Sequence, residues 1–176
     1  MLGLTACAMA NAADATVIVI EPNALRRERA LQFGASAAID CALPPSEIAA
    51  RVKELSGGRG ADAGLEFSGA AEAVELGIGL LRTGGRFILA GAVFPGRPVQ
   101  LSAEQLVRRM IRIAGVHNYS PEDLETALAF LAGAINRYPF GELAGPGYPL
   151  CDVNSAIAFA ETANLPRVSL IPLLIP

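Results

Sequence analysis

The sequence is poor in the residues that build metal sites and disulfide frameworks. It has one histidine and three cysteines, and Cys7, Cys41 and Cys151 lie far apart without a Cys-x-x-Cys pair. Zinc sites normally need closely spaced cysteines and histidines, and disulfide-stapled domains normally carry an even number of cysteines. We therefore expect neither kind of site, and such cysteines are typical of a reducing compartment, the cytoplasm.

Two further absences exclude a membrane protein and a nucleic-acid-binding protein. A membrane-spanning helix needs about 20 consecutive apolar residues, and the nearest candidate, segment 76–94, is interrupted by Arg82, Gly84, Gly85 and Arg86. Basic residues are scattered along a chain of net charge −3, whereas nucleic-acid binding normally needs a clustered basic face. The apolar N-terminus has no basic leading region, so we do not expect a signal peptide.

Apolar residues, in contrast, are abundant. They make up 52% of the 176 residues, charged residues make up 18%, and the mean hydropathy is +0.42. Typical domains have about 45–50% apolar and about 25% charged residues. The length predicts one domain, with room for an appendage. The excess indicates more apolar surface than the chain's own core consumes, and this points to a missing partner or missing sequence.

Short apolar segments alternate with helical segments over the first two thirds of the chain. The predicted strands are 16–20, 37–39, 63–67, 86–90 and 111–116, and the predicted helices are 2–12, 24–33, 46–55, 71–81 and 101–109. Such alternation predicts an α/β fold with a doubly wound parallel sheet, in which ligands bind at the carboxyl ends of strands. The candidate residues at those ends are Glu21, Ser68, Gly69, Gly91 and Val116 to Asn118.

The pattern changes after residue 118. A helix is predicted over 121–131, followed by a turn-rich stretch of glycines and prolines between residues 138 and 149. A helix over 153–162 and a strand over 167–174 complete the chain. Since the strict alternation of strand and helix is lost, we predict two domains, 1–117 and 118–176.

Glu21 is the candidate with the clearest chemical meaning. In dinucleotide-binding folds a carboxylate at the end of the second strand accepts hydrogen bonds from the adenosine ribose, and it repels the 2′-phosphate of NADP. Gly3 opens a helix 18 residues before Glu21, a spacing that fits the last glycine of the G-x-G-x-x-G fingerprint. The first strand and the other two glycines would then lie upstream of Met1.

These residues also have alternatives. On their own, Gly3 and Glu21 are equally compatible with a glycine in an alanine-rich helix and a solvated glutamate. Arg26 and Arg27 follow Glu21 by about one helical turn, and arginines at this position can hold a 2′-phosphate or can simply form a solvated helix face. Because the carboxylate lies closer to the place of that phosphate, we predict NAD(H) over NADP(H).

Several motifs together carry a family resemblance that covers nearly the whole chain. They are Met1–Leu4, Val19–Asn23 with Arg26, Ala30–Ala35, Gly60–Glu66, Ser68–Gly69, Thr83–Arg86, Leu89–Gly91, Ile113–Gly115, and the tail from Asp152–Val153 to Arg167–Val168. The chain resembles the medium-chain dehydrogenase/reductases, which form the zinc-type alcohol dehydrogenase superfamily. Gly69–Ala70, Val93–Gly96 and Gly115–Tyr119 are similar to a bacterial subgroup associated with phosphonate catabolism.

The resemblance implies a Rossmann-like sheet that lacks its first strand, and it assigns cofactor contacts. It implies that Leu2 packs on the nicotinamide ring and that the backbone groups of Ala90, Val116 and Asn118 fix the carboxamide. It also implies that Glu21, Asn23 and Arg26 contact the adenosine ribose. Ser68 and Gly69 would line the dinucleotide, and Arg167 would reach the pyrophosphate. With Gly3 and Gly91, these residues form the predicted cofactor site. No catalytic residue and no metal ligand is predicted.

The sequence departs from the family in one large respect. The family's zinc ligands lie in an N-terminal domain, which has no counterpart in this sequence, and residues 118–176 would return to that GroES-like catalytic domain. In the family the strand that matches 111–116 pairs across a two-fold axis, so we expect a homodimer. We predict the NAD-binding portion of an oxidoreductase that acts on an alcohol/aldehyde pair, either as a truncated piece of a larger enzyme or as a short chain with another role.

Two other functions are compatible with part of the pattern. One is an interaction module that dimerises without turnover, because exposed apolar strand edges favour such pairing. The other is an S-adenosylmethionine-dependent methyltransferase, whose fold also places an acid at the end of the second strand. Its usual antiparallel final strand and upstream glycine-rich loop are not evident in this sequence, so it is the weaker alternative.

Overall fold

The computed structural model describes residues 1–163 and 165–172, which form two compact units. One unit comprises Leu2–Glu125, and the other comprises the described residues from Thr126 onward together with Met1. The first contains α1 (Leu2–Ala12), β1 (Ile18–Ile20), α2 (Ala24–Gln32), β2 (Ala37–Ile39), α3 (Pro45–Leu55), β3 (Ala61–Glu66), α4 (Ala71–Leu80), β4 (Leu81–Leu89), α5 (Ala103–Arg108) and β5 (Arg112–Gly115). The units divide within α6 (Pro121–Ala134), and β6 (Ala144–Pro149), α7 (Val153–Thr162) and β7 (Arg167–Ile171) follow.

The strands of the first unit form two parallel sheets. β1 pairs with β2, and β3, β4 and β5 form a second sheet in that order. The prediction of a parallel α/β fold is therefore confirmed. Among the described strands, β1 pairs only with β2, and β3 pairs only with β4. β1 and β3 are therefore edge strands of their two sheets. In the dinucleotide-binding strand order 3-2-1-4-5-6, the predicted first strand belongs between these two edges.

Two apolar clusters pack helices α3 and α4 against the sheets. Ile48 and Val52 of α3 join Ile39 of β2 in one cluster. In the other, Phe87 of β4 packs with residues of α4 such as Val74 and is only 3% exposed. Glycines make room for its ring, since a Cβ at position 64 or 77 would come within 2.5 Å of ring carbons. Burying such a side chain contributes about 1.5–3 kcal/mol to stability.

The structure corrects the predicted start of β4. The sequence predicts that helix 71–81 ends in a turn at residues 83–85 and that the strand begins at Arg86, whereas β4 begins at Leu81. Leu81 pairs with Ala61, and regular pairing resumes at Arg86 opposite Ala63. The glycine-rich segment between them is an irregularity inside the strand, with Gly84 at φ +76°.

The second unit contains a strand that the sequence does not predict. Residues 144–149, interpreted as turns, form β6, which pairs in parallel with β7, so that Tyr148 lies opposite Leu170. With α7 between them, β6 and β7 form another βαβ unit, and the predicted loss of alternation is wrong. The two prolines of β6 are tolerated because it has a single neighbour among the described strands. Residues 173 and 174 of the predicted last strand lie outside the described residues.

Helix α6 exposes an apolar stripe, as the high mean hydropathy leads one to expect. Leu124, Leu128 and Leu131 recur at helical spacing, and Leu128 is 58% exposed. Ser120 caps the N-terminus of α6, because the backbone N–H of Asp123 donates to Ser120 Oγ at 3.2 Å. None of the described helices combines the length and the apolar character that a membrane span requires.

Candidate dinucleotide-binding site

Glu21, Asn23 and Arg26 lie together at the carboxyl end of β1. The backbone N–H of Glu21 donates to Ile39 O at 3.1 Å, which extends the pairing with β2. Asn23 caps α2, since its Oδ1 accepts from the backbone N–H of Arg26 at 3.0 Å. Glu21 Oε1 accepts from Asn23 N at 3.1 Å and lies 3.8 Å from Arg26 Nη1. The Glu21 carboxylate is thus held in place by the turn that starts α2, with 23% of its side chain exposed.

The two arginines after Glu21 have different environments. Arg27 donates from Nη1 to the carbonyl oxygens of Glu21 and Pro22, each at 2.8 Å, and its Nη2 lies 3.0 Å from Asp40 Oδ2. Its guanidinium therefore clamps the end of β1 to the end of β2. Arg26 keeps 68% of its side chain exposed, so of the two arginines it is the one whose guanidinium faces solvent.

Glu66 organises the carboxyl end of β3. This side chain is only 4% exposed. Its Oε1 accepts from Ser68 N at 2.5 Å, from Ser68 Oγ at 2.6 Å and from Gly69 N at 2.8 Å. Its Oε2 is buried without a hydrogen-bond partner among the described residues. One carboxylate oxygen thus fixes the turn that carries Ser68 and Gly69.

Gly69 and Gly91 are positioned back to back, and each needs to be glycine. Gly69 has φ +76°, and a Cβ there would lie 2.7 Å from Gly91 O. A Cβ on Gly91 would lie 2.3 Å from the carbonyl carbon of Phe67 and 2.6 Å from Gly69 N. The backbone N–H groups of Ala90 and Gly91 both donate to Glu66 O at 3.0 Å. The ends of β3 and β4 are consequently joined into one tight backbone platform.

The remaining predicted residues of the first unit lie on exposed backbone. Leu2 and Gly3 open α1, and Leu2 is 61% exposed. A Cβ on Gly3 would meet only Phe67 Cδ2, at 3.8 Å, so the described residues do not require glycine there. Val116 continues the β4–β5 pairing through its N–H to Leu89 O at 2.9 Å, and Asn118 adopts φ +61°, which asparagine tolerates.

Arg167, the last predicted contact, belongs to the second unit. It begins β7, is exposed, and donates from Nη1 to Pro166 O at 3.1 Å. The first unit brings Glu21, Asn23 and Arg26 together at one strand end, and Ser68, Gly69, Ala90 and Gly91 together at another.

A comparison with known protein families identifies the family to which the chain belongs. The sequence profile of the family described as zinc-binding dehydrogenase matches residues 2–133, about three quarters of the sequence. The chain belongs to the zinc-binding dehydrogenase family.

Individual relatives agree with this assignment. This zinc-binding dehydrogenase chain is 34% identical over 132 residues to a sorbitol dehydrogenase from Halalkalibacterium halodurans, covering 74% of the chain and 38% of the relative. It is 32% identical over 158 residues to a D-arabitol-phosphate dehydrogenase from Enterococcus avium, covering 88% and 43%. The chain therefore spans about two fifths of the length of these curated relatives.

Solved structures show the same fold. An alcohol dehydrogenase from Thermotoga maritima matches with a TM-score of 0.90 at 27% identity, covering 97% of this chain and 47% of the other. A mycobacterial protein complexed with NADPH matches with a TM-score of 0.72 at 25% identity, covering 97% and 53%. These chains are about twice as long as this one.

The residues of this zinc-binding dehydrogenase chain do not fit the zinc ion in the family's name. Within residues 1–163 and 165–172, no three metal-ligating side chains of His, Cys, Asp or Glu lie together. Cys7 is buried against α2, where its thiol contacts Ala30 O at 3.6 Å, and desolvation raises its pKa to about 11. Zinc binds the thiolate form, so this thiol is a poor ligand.

Sequence reasoning missed two residues of this region. The sequence assigns no role to Glu66, because its burial cannot be predicted from local pattern. An acid two residues before a Ser-Gly turn does indicate a side chain that can accept hydrogen bonds from the backbone of that turn. The sequence predicts that Arg27 holds a 2′-phosphate or lies on a solvated helix face. Its pairing with Asp40 depends instead on two strands that lie side by side only in the folded chain.

Proposed function

We propose that this chain is the nucleotide-binding portion of an NAD(H)-dependent oxidoreductase that acts on an alcohol/aldehyde pair. The observation that carries the proposal is the fixed Glu21 carboxylate at the end of β1, beside the cap of α2. Membership of the dehydrogenase family supports it, as do relatives named for sorbitol and arabitol phosphate. A structural neighbour that holds NADPH supports a nicotinamide dinucleotide as the cofactor, and the choice of NAD(H) depends on Glu21. The nicotinamide would accept or donate the hydride.

The preference for NAD(H) follows from charge. The Glu21 carboxylate would accept hydrogen bonds from the ribose hydroxyls, and it would repel a 2′-phosphate. Arg26 Nη1 lies 3.8 Å from this carboxylate, and Arg27 is occupied by Asp40 and two carbonyl groups. Arg26 is thus the one arginine of the two that is available to a phosphate, and the carboxylate beside it would repel that phosphate.

Other residues of the chain would bind and orient the cofactor. In this proposal Leu2 packs on the nicotinamide, the Ser68–Gly69 turn lines the dinucleotide, and the backbone of Ala90, Val116 and Asn118 fixes the carboxamide. Gly3 and Gly91 permit close approach, and Arg167 contacts the pyrophosphate. The close packing of Gly69 against Gly91 supports the proposed contact between the Ser68–Gly69 turn and the dinucleotide, because the ends of β3 and β4 present backbone rather than side chains there.

Isothermal titration of the chain with NAD⁺ and NADP⁺ tests the proposal. We expect weak binding, because the sequence has no G-x-G-x-x-G turn, and we expect NAD⁺ to bind more tightly than NADP⁺. Glu21→Ala should narrow the difference between the two. Glu28→Ala, which removes an exposed acid of α2, should leave it unchanged. Tighter binding of NADP⁺ by the unaltered chain would refute the preference.

A second candidate is an interaction module that dimerises without turnover. β5 pairs only with β4 among the described strands, so it offers an open edge to a second copy. In either case we propose a homodimer through strand 111–116. A monodisperse monomer in light scattering would refute the dimer.

Further assignments are part of the same proposal. We place the domain division after residue 117, the cellular location in the cytoplasm, and the chain in the phosphonate-associated subgroup. The free cysteines support the location. Residues Val93–Gly96 and Gly115–Tyr119 support the subgroup.

A further inference from the structure

Three arginines that are scattered in the sequence line one cavity of the first unit. The cavity has a volume of about 450 Å³ and is lined by Asp62, Ala63, Arg82, Gly84, Arg86 and Arg112. Cavities that bind small ligands have volumes of about 300–1,000 Å³. The cavity lies at the start of the regular pairing of β3, β4 and β5, whereas Ser68, Gly91 and Val116 lie at the opposite, carboxyl ends of these strands.

The strand register forces two of these arginines to lie side by side. Arg86 of β4 is the direct partner of Arg112 of β5, and Ala63 of β3 is the partner of Arg86 on the other side. Neighbouring strands lie about 4.8 Å apart, and paired residues project to the same face. Phe87 and Ile113, the next residues along, pack into the apolar cluster with α4, so both arginines project to the opposite face.

No acidic side chain of the described residues forms an ion pair with either of these two arginines. Asp62 is the single acid of the lining, and Arg82 binds it directly while Arg59 Nη2 lies 3.9 Å away. The hydrogen bond from Arg82 lowers the pKa of Asp62 below its usual range. Within the described part of the chain, the side chains of Arg86 and Arg112 form neither a hydrogen bond nor an ion pair, although the backbones of both residues pair in the sheet. Like charges at paired positions of a sheet are destabilising, so an anion between them would remove the repulsion.

We propose that Arg86 and Arg112, with Arg82 beside them, form a binding site for a phosphate group. A guanidinium presents two parallel N–H donors that match a phosphate, and an arginine is favoured where such recognition is needed. A nucleic acid is the wrong class of ligand, since it needs a continuous basic surface and this chain has a net charge of −3. The phosphate group belongs either to inorganic phosphate or to the monoester of a small metabolite.

Thermal unfolding at constant ionic strength tests the site, with sodium phosphate exchanged for sodium chloride. We expect phosphate to raise the Tm of the chain in a saturable manner. The double variant Arg86→Gln/Arg112→Gln should lose most of this shift and bind phosphate at least about tenfold more weakly in titration calorimetry. Without phosphate the same variant should have a Tm equal to or above that of the parent, because the repulsion is gone.

A matched control separates the site from a general effect of charge. Arg51→Gln/Arg108→Gln removes the same charge from two exposed helix ion pairs and should keep the whole phosphate shift. Arg112→Lys, which keeps the charge but loses the paired donors, should bind at intermediate strength. Equal phosphate shifts in the parent and in the Arg86→Gln/Arg112→Gln variant would overturn the proposal.

Two further measurements identify the ligand and test whether it binds independently of the nucleotide. Competition by glycerol 3-phosphate assigns the site to a phosphate monoester, and binding of inorganic phosphate alone assigns it to the free ion. Saturating NAD⁺ should not displace phosphate, because Val116, the nearest proposed cofactor contact on this part of the chain, lies four residues or about 13 Å beyond Arg112. Displacement by NAD⁺ would place the phosphate in the nucleotide site and overturn the assignment to this cavity.

Discussion

Replacing Glu66 by alanine should destabilise the chain strongly, although this residue contacts no predicted ligand. The change removes three hydrogen bonds to Oε1, from Ser68 N, Ser68 Oγ and Gly69 N. Hydrogen bonds to a charged group contribute about 1.5–3 kcal/mol each. The loss is partly offset, because the alanine also removes the buried and unpartnered Oε2, and such an atom costs about 1–3 kcal/mol. Three such bonds amount to about 4.5–9 kcal/mol and the offset to about 1–3 kcal/mol, so we expect a net loss of about 5 kcal/mol.

The free energy of unfolding, measured by urea denaturation, checks this value. Glu66→Gln keeps an acceptor at Oε1 but loses the charge, and because charged hydrogen bonds are about twice as strong as neutral ones, about half of the loss should remain. Glu54→Ala, at an exposed position of α3, should change stability by less than about 0.5 kcal/mol. If Glu66→Ala is no more destabilising than Glu54→Ala, the carboxylate does not hold the turn.

Three further predictions follow from packing and titration. Gly91→Ala places a Cβ 2.3 Å from backbone of Phe67 and should cost about 3 kcal/mol in urea denaturation. Burial raises the pKa of Cys7 to about 11, so a thiol reagent at pH 8 should label this cysteine only after unfolding. Hydrogen bonding by Arg97 lowers the pKa of Glu75 from 4.5 to about 2. Since a depressed pKa stabilises the fold above pH 4.5 and this contribution is lost as the pH falls towards 2, the Tm difference between the parent and Arg97→Gln should shrink over that interval.

Each of these predictions has its own control. Gly96→Ala adds a Cβ with no atom within 4 Å, and it should be nearly neutral. The exposed Cys41 and Cys151 should react with the reagent in the folded chain, and labelling of Cys7 before unfolding would contradict its burial. Arg51→Gln should show no comparable change in its Tm difference between pH 4.5 and 2.

Local signals in the sequence were sufficient for several elements of the fold. Asn23 is a residue type favoured at helix N-caps, and the structure shows its capping hydrogen bond at the start of α2. β2 and α7 have the predicted bounds. These elements are set by short-range features such as a cap and a run of apolar residues, which act within one turn of helix or a few residues of strand.

Features that depend on distant residues could not be predicted in this way. β6 contains two glycines and two prolines, residues that disfavour strands, and its pairing with β7 overrides them. The burial of Glu66 and the clamp between Arg27 and Asp40 exist only because separate strands end side by side. The row formed by Arg86 and Arg112 likewise depends on a register that no local pattern encodes.

The clamp made by Arg27 constrains how the proposed cofactor preference could be redesigned. An engineer seeking NADP(H) specificity would remove Glu21 and recruit a nearby cation, and Arg27 is the tempting choice because it follows in the same helix. Its guanidinium already bridges Asp40 and the carbonyl groups of Glu21 and Pro22, so redirecting it would release the end of β1. A successful design would instead keep Arg27 untouched and place the new cation beside the exposed Arg26.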